Sequence, residues 1–155
     1  MKAILAVLLL CFIFPATSWA GPFGTEMGDK PEKFSGLVKV KDGMFKADAL
    51  PKSHPLFQQF LLEFKDDGLA QISTINFVTG SDADNQAIAN YDKLKQELSA
   101  KYKEPICLSP YMCRWRNNLP DNIADITLIK KKDEKGWCNI LIYEYENYNK
   151  SDSPL

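Results

Sequence analysis

LFQQFLLEFKDDGLAQISTINFV, residues 56–78, is the stretch that decides the fold. Phe60, Leu62 and Phe64 fall on one side of an extended chain. The residues from 69 to 78 are rich in Ile, Thr, Phe and Val, which favour strands. Between the two runs, Asp66-Asp67-Gly68 supplies the residue types of a tight turn. The sequence therefore predicts a long central β-hairpin.

Alternating apolar and polar residues on both sides of this hairpin predict further strands. Residues 37–41 alternate, and Asp42-Gly43 is a two-residue turn signal that leads into a returning strand at 44–47. Three more strands are predicted nearer the C terminus, at residues 111–116, 123–130 and 137–145.

One long helix is predicted from Ser81 to Lys103. Ser81 is a favourable N-cap, Asp84 three residues later approximates a capping box, and Pro105 ends the helix. A single apolar stripe recurs at helical spacing: Ile88, Tyr91, Leu94, Leu98 and Tyr102. The predicted fold class is α+β, a mostly antiparallel sheet of hairpins with this helix packed on one face.

The first 20 residues are typical of a cleavable secretory signal peptide. Lys2 is followed by an apolar run from Ala3 to Phe14, and Ser18-Trp19-Ala20 presents small residues at the two positions that a signal peptidase reads. The run is shorter than the roughly 20 residues that span a bilayer. We therefore expect a periplasmic or secreted protein that begins at Gly21, with one α+β domain at 21–148 and a frayed polar tail at 149–155.

Charge and cysteine content narrow the functional classes. Without Lys2 the chain keeps 18 of its 19 basic residues against 20 acidic ones. The overall charge therefore does not indicate binding to nucleic acid or to an anionic membrane. The run Lys130-Lys131-Lys132 is interpreted as a solvated turn.

An oxidising compartment predicts one disulfide and one free thiol among the three cysteines that follow residue 20. Cys107–Cys113 is favoured because the bridge would order a proline-containing loop, with Cys138 as a buried thiol; Cys113–Cys138 is the rival pairing.

No catalytic, cofactor-binding or metal-binding constellation stands out. His54, the single histidine, lies between Ser53 and Pro55 and is interpreted as an exposed loop residue. Aromatic and arginine side chains, the types enriched at interface hot spots, gather in two strands instead. They define a candidate contact surface of six residues: Arg114, Trp115, Arg116, Tyr143, Tyr145 and Tyr148.

Two short motifs resemble known small secreted proteins. The segment from Phe23 to Gly28 resembles the F-G-x-x-[ML]-G opening of small secreted bacterial proteins that mostly lack an assigned role. Leu98 to Pro105 is similar to the L-x-x-K-Y-G-x-P that ends a helix in such proteins, with Lys103 in place of Gly. A similar layout occurs in β-lactamase-inhibitor-like domains and in small outer-membrane assembly lipoproteins. The resemblance implies action by protein contact, while Asp29-Lys30-Pro31 departs from the usual start of a first helix.

The expected function is a non-enzymatic binding protein of the cell envelope or exterior, such as an inhibitor, an immunity-type protein or an assembly accessory. It is expected to need no cofactor and to bind another protein. Two alternatives remain open: a small-ligand carrier with an aromatic pocket between helix and sheet, and a small carboxylate-dependent hydrolase.

Overall fold

Eight antiparallel strands and one long helix make up the chain in the computed structural model, which describes residues 21–148. The predicted signal peptide and the predicted tail lie outside these residues. The strands are β1 (Val38–Lys41), β2 (Met44–Ala47), β3 (Gln59–Lys65), β4 (Gly68–Val78), β5 (Ile106–Ser109), β6 (Met112–Trp115), β7 (Ile123–Asp133) and β8 (Gly136–Tyr145), and the helix α1 is Ala83–Tyr102.

The strands form one sheet in the order β1-β2-β3-β4-β8-β7-β6-β5. Each half is a meander of neighbouring hairpins, and the two halves join where β4 pairs with β8 from Gln71–Glu144 to Val78–Trp137. The predicted central hairpin is β3–β4, and the Asp42-Gly43 turn joins β1 and β2 as expected. The α+β class is therefore present, with strands predominating.

Alternation along the strands separates two faces of the sheet. One face contributes Leu62, Ile72, Ile126 and Leu141 to the main hydrophobic cluster, and α1 adds Tyr91, Leu94, Leu98 and Tyr102 to that same cluster. We call the other face the second face; its central side chains are Ile75, Ile129 and Ile140, which are partly exposed and aligned across β4, β8 and β7.

The register of the helix differs from the prediction. Ala87 is fully buried, whereas Ile88 is 44% exposed, so Ile88 does not belong to the packed stripe. The small Ala87 lets the helix approach the sheet, where Asn139 Nδ2 donates to the Ala87 carbonyl at 3.2 Å. The N-cap is Asp82 instead of Ser81, and its side chain caps no backbone N–H.

A predicted loop and a predicted turn are both strands in the structure. Residues 106–109 form β5, where the sequence predicts a loop. The predicted solvated turn at Lys130 to Lys132 is wrong, because β7 continues to Asp133 and Lys130 is buried. The Lys130 ammonium lies among the rings of Tyr91, Tyr111 and Trp137, at 5.5, 5.0 and 5.8 Å from their centroids. These cation–π contacts replace water around the charge.

Candidate functional site

The β5–β6 hairpin forms one end of the sheet and is cross-linked to itself. Cys107 and Cys113 face each other across the two strands, and their Sγ atoms lie at the disulfide distance of 2.01 Å. This is the pairing that the sequence analysis favoured, although the segment it orders is a strand and not a loop. Cys138 is buried and has no disulfide partner within residues 21–148. Burial raises the pKa of its thiol.

The outer edge of β5 is apolar and uncharged. Ile106 and Leu108 are 59% and 62% exposed, and Tyr111 in the following turn is 53% exposed. The opposite edge of the sheet, β1, also exposes Val38 and Val40, but lysines alternate with these valines in its sequence VKVK. Charged residues, lysine above all, blunt an edge strand against pairing with another chain. The β5 edge lacks this protection.

A groove of about 330 Å³ lies beside the start of β5. It is lined by side chains of α1's C-terminal end, of β5 and β6 and of the loop after β6: Tyr102, Lys103, Glu104, Ile106, Arg114, Trp115, Arg116, Asn117 and Asn118. The helix ends at the groove because Lys103 takes φ +68° and ψ −163°, and its carbonyl accepts a hydrogen bond from Trp115 Nε1 at 2.9 Å.

Asp125 organises the two arginines of the groove. Its carboxylate is buried, and it accepts hydrogen bonds from Arg114 Nη2 at 2.8 Å, from Arg116 Nε and from Thr127 Oγ1 at 2.9 Å. A buried carboxylate with this many donors is compensated for the loss of water. The Arg116 side chain nevertheless stays 54% exposed, so its guanidinium has donors left for a partner.

The six residues of the predicted contact surface divide into two groups. Trp115, Tyr143 and Tyr145 are buried in the main cluster, and Tyr145 Oη shares a 2.8 Å hydrogen bond with Thr25 Oγ1. These three side chains therefore pack the core and do not present a contact surface. Strand alternation explains the division, since each of the three side chains points to the face that contributes to the main hydrophobic cluster.

Arg114, Arg116 and Tyr148 belong to the other group. The Tyr148 ring lies 5.1 Å from Lys65 Nζ, and Lys65 in turn lies 3.6 Å from a carboxylate oxygen of Glu63. Glu144 links this cluster to the arginines. Its pKa is raised by burial and by nearby Asp125, while Arg114 and Arg116 act in the opposite direction. The polar residues thus gather at one end of the second face.

A separate cleft of about 320 Å³ lies between the N-terminal segment and α1. Its walls come from the N-terminal segment, the loop before β3, α1 and β8: Gly21, Pro22, Phe23, Gly24, Lys52, His54, Phe57, Leu94, Glu97, Leu98, Lys101, Tyr102, Leu141 and Tyr143. Phe23 holds the N-terminal segment against the core through edge-to-face contacts with Phe57, Phe60 and Tyr143, at centroid distances of 5.8, 5.4 and 5.7 Å. These contacts create one wall of the cleft.

His54 is in a loop as expected, but its side chain is only 25% exposed. Its Nδ1 accepts a hydrogen bond from the Leu56 N–H at 3.2 Å, which assigns the hydrogen to Nε2, and Nε2 donates to Glu97 Oε2 at 3.1 Å. His54 therefore fastens the loop to α1 beside the cleft. These two hydrogen bonds account for the position of the single histidine by a structural role.

The sequence predicts neither the β5 edge nor the cleft, for different reasons. In β5 the apolar Ile106 and Leu108 alternate with Cys107 and Ser109, but Pro105 and Pro110 enclose these four residues and favour a loop. The cleft joins segments more than a hundred residues apart, from Gly21 to Tyr143. Only the alternation in β5 was available as a signal.

Within residues 21–148, no three histidine, cysteine or carboxylate side chains lie close enough together to hold a metal ion. No helix in that part of the chain is long and apolar enough to cross a membrane. Comparisons with protein-family models, with curated proteins and with solved structures returned no significant match.

Proposed function

We propose that the protein is a non-enzymatic binding protein of the periplasm or cell exterior that holds an extended segment of another protein along β5. The observation that carries this proposal is the uncharged, apolar edge of β5, with Ile106 and Leu108 both more than half exposed. The proposed location of the protein, in the periplasm or outside the cell, rests on the predicted signal peptide. The resemblance to groups that act by protein contact points in the same direction.

An exposed strand edge binds a partner through its backbone. The outer N–H and C=O groups of an edge strand are free to pair with an added strand, and the side chains on alternate positions supply specificity. In β5 the disulfide to β6 holds the strand in position before any partner arrives. A preordered edge loses less conformational entropy on binding, which favours affinity.

The groove beside β5 indicates the chemistry of the partner segment. Apolar side chains of the partner would cover Ile106, Leu108 and Tyr111, which are exposed in the free protein. The half-exposed Arg116 guanidinium would take a carboxylate or a backbone carbonyl at the end of the groove. The expected partner is therefore an extended apolar segment that carries an acidic residue.

The same proposal includes the predicted layering, in which α1 covers one face of the sheet. The second face then remains accessible next to β5, and its row of Met112, Ile129, Ile140 and Ile75 continues the apolar surface inward from the edge. Contiguous exposed apolar surface of this kind is typical of interaction sites. The structure favours a binding role over the hydrolase alternative because Asp125, the buried carboxylate, is engaged by two arginines and Thr127.

The test compares two edge variants of matched chemistry. Leu108→Lys places a charge on the β5 edge, and Val40→Lys places the same charge on the β1 edge at a valine that is 56% exposed. A partner captured from envelope extract is identified, purified and titrated calorimetrically against each form. We expect one-to-one binding that Leu108→Lys weakens at least tenfold and that Val40→Lys leaves unchanged.

Three outcomes would contradict the proposal. The first is equal binding by wild type and Leu108→Lys, and the second is the absence of any partner that binds stoichiometrically after purification. The third is concentration-dependent self-association in sedimentation that Leu108→Lys abolishes, because β5 would then pair with a second copy of the chain.

A further inference from the structure

The cleft between the N-terminal segment and α1 has the lining of a small-molecule site. Phe23, Phe57, Leu98, Leu141 and Tyr143 give it an apolar wall. Its volume of about 320 Å³ falls at the lower end of the roughly 300–1,000 Å³ that is usual for such sites. An apolar wall of aliphatic and aromatic side chains fits a hydrocarbon chain or a ring.

One polar group in the wall lacks a partner. Tyr102 is 7% exposed, and its buried Oη has no hydrogen-bond partner within 3.5 Å among the described residues. The Tyr143 hydroxyl lies near it, and burial together with this neighbour raises the pKa of Tyr143. A buried hydroxyl that is left unsatisfied destabilises the fold, so such groups are rare unless they have a use. Tyr145, a second buried tyrosine of the same cluster, is by contrast bonded to Thr25. A ligand atom that accepts a hydrogen bond would satisfy Tyr102.

The cleft is lined by two lysines and one glutamate, so positive charge is in excess. Glu97 is engaged by His54 at 3.1 Å. Lys52 and Lys101 form no ion pair within residues 21–148, and Lys101 Nζ lies 4.9 Å from the centre of the Tyr102 ring. The Lys101 ammonium therefore lies beside the Tyr102 ring, and both residues line the cleft.

We propose that this cleft binds an apolar-bodied monocarboxylate, with its hydrocarbon part against Phe23, Phe57 and Leu98 and its carboxylate between Lys52, Lys101 and the Tyr102 hydroxyl. A carboxylate supplies the acceptor that Tyr102 lacks and the negative charge that the two lysines attract. An amine would meet two ammonium groups against the single carboxylate of Glu97, which already accepts a hydrogen bond from His54, and a neutral alcohol would forgo the attraction of the lysines. The proposal does not depend on the β5 edge, although Tyr102 also lines the groove beside β5.

Decanoate is a suitable probe, measured by isothermal titration against the protein from Gly21 onward. We expect saturable one-to-one binding that is at least tenfold tighter than that of decanol, and no binding of decylamine. The double variant Lys52→Gln/Lys101→Gln should weaken decanoate binding at least tenfold, which corresponds to about 1.4 kcal/mol. Lys93→Gln removes a charge from an exposed position of the same helix outside the cleft and should change nothing.

Tyr102→Phe separates a ligand-binding role from a structural one. If the hydroxyl serves the ligand, this variant binds decanoate about fivefold to tenfold more weakly while its thermal midpoint stays level or rises, because an unsatisfied buried group has been removed. Unchanged decanoate affinity in both Tyr102→Phe and the double lysine variant would overturn the proposal. So would the absence of decanoate binding at millimolar concentration, or tighter binding of decanol or decylamine.

Discussion

At the scale of single residues, buried charges in this protein are stabilised by the groups around them. Asp125 is surrounded by two arginines and a threonine hydroxyl, and Lys130 by three aromatic rings. Glu144 is different, because burial and Asp125 raise its pKa despite the two nearby arginines. Its charged form is thus disfavoured in the folded state, and this has a measurable consequence for stability against pH.

Glu144→Gln is expected to raise the thermal midpoint at pH 7 and to leave it unchanged near pH 3. A carboxyl whose folded pKa is raised stabilises the folded state fully below its unfolded pKa, and this stabilisation is lost as pH rises through the folded pKa. Glutamine carries no charge at either pH and so avoids the loss. Thermal unfolding at the two pH values is the measurement, with Glu134→Gln in the exposed β7–β8 turn as control. An increase in the thermal midpoint at pH 3 that equals the increase at pH 7 would contradict this explanation.

Lys103→Gly is expected to stabilise the fold by about 1 kcal/mol. Lys103 occupies φ +68° and ψ −163°, a region that is costly for any residue with a Cβ, by roughly 1–3 kcal/mol. Glycine removes that cost but gains freedom in the unfolded chain, which offsets part of the benefit. Asn118→Gly is a suitable control at φ +54°, because asparagine tolerates positive φ well. Equal midpoints in denaturant for Lys103→Gly and wild type would show that the helix end is relaxed.

At the scale of elements, the rotation of α1 about its axis is set by contacts with the sheet. Ala87, Tyr91, Leu94, Leu98 and Tyr102 are the buried residues of the helix. Tyr91 Oη donates to Cys113 Sγ at 3.3 Å, and Asn139 donates to the Ala87 carbonyl. These polar contacts bring Ala87 to the sheet and turn the larger Ile88 toward solvent.

Leu94→Ala should therefore cost about 2–5 kcal/mol of unfolding free energy, as expected for a leucine that is 2% exposed. Ile88→Ala should change stability by less than about 1 kcal/mol, since surface substitutions usually have small effects. Denaturant midpoints of the two variants provide the comparison. Similar losses for both would mean that the helix is rotated relative to the register described above.

At the scale of the whole molecule, the two meanders are joined by β4–β8 pairing and by the N-terminal segment. Gly28 N–H donates to the Leu69 carbonyl at 3.1 Å, and Thr25 bonds Tyr145, so the segment that follows the predicted signal peptide contacts strands of both halves. Gly21 itself is buried, and a Cβ there would lie 2.5 Å from the Thr25 carbonyl oxygen. A glycine is thus required at the predicted start of the mature chain.

The mature chain is expected to begin at Gly21, on the prediction that residues 1–20 are a signal peptide. The reason is the cleavage site that Ser18-Trp19-Ala20 forms after the apolar run. Intact mass of material recovered outside the cytoplasm measures the first residue directly. A mass that retains residues 1–20 would contradict the signal peptide and the location that depends on it.

The sequence by itself determined the helix and the hairpins other than β5–β6, because their signals are local. Asp42-Gly43 and Asp66-Asp67-Gly68 marked two turns, and alternation placed Ile140 and Ile142 on the face opposite Leu141 and Tyr143. The favoured Cys107–Cys113 pairing also lay within reach, since it spans only six positions.

Tertiary structure alone decided which local features face solvent. Local periodicity does not predict the rotation of α1 that buries Ala87 and exposes Ile88. Nor does it predict which aromatic side chains fill the core, namely Trp115, Tyr143 and Tyr145, or that Arg116 stays accessible. It also could not place β5 at an edge, or bring Phe23 and Tyr143 together around the cleft. The physical reason is that burial depends on neighbours distant in sequence, and here the β4–β8 junction and the N-terminal segment supply them.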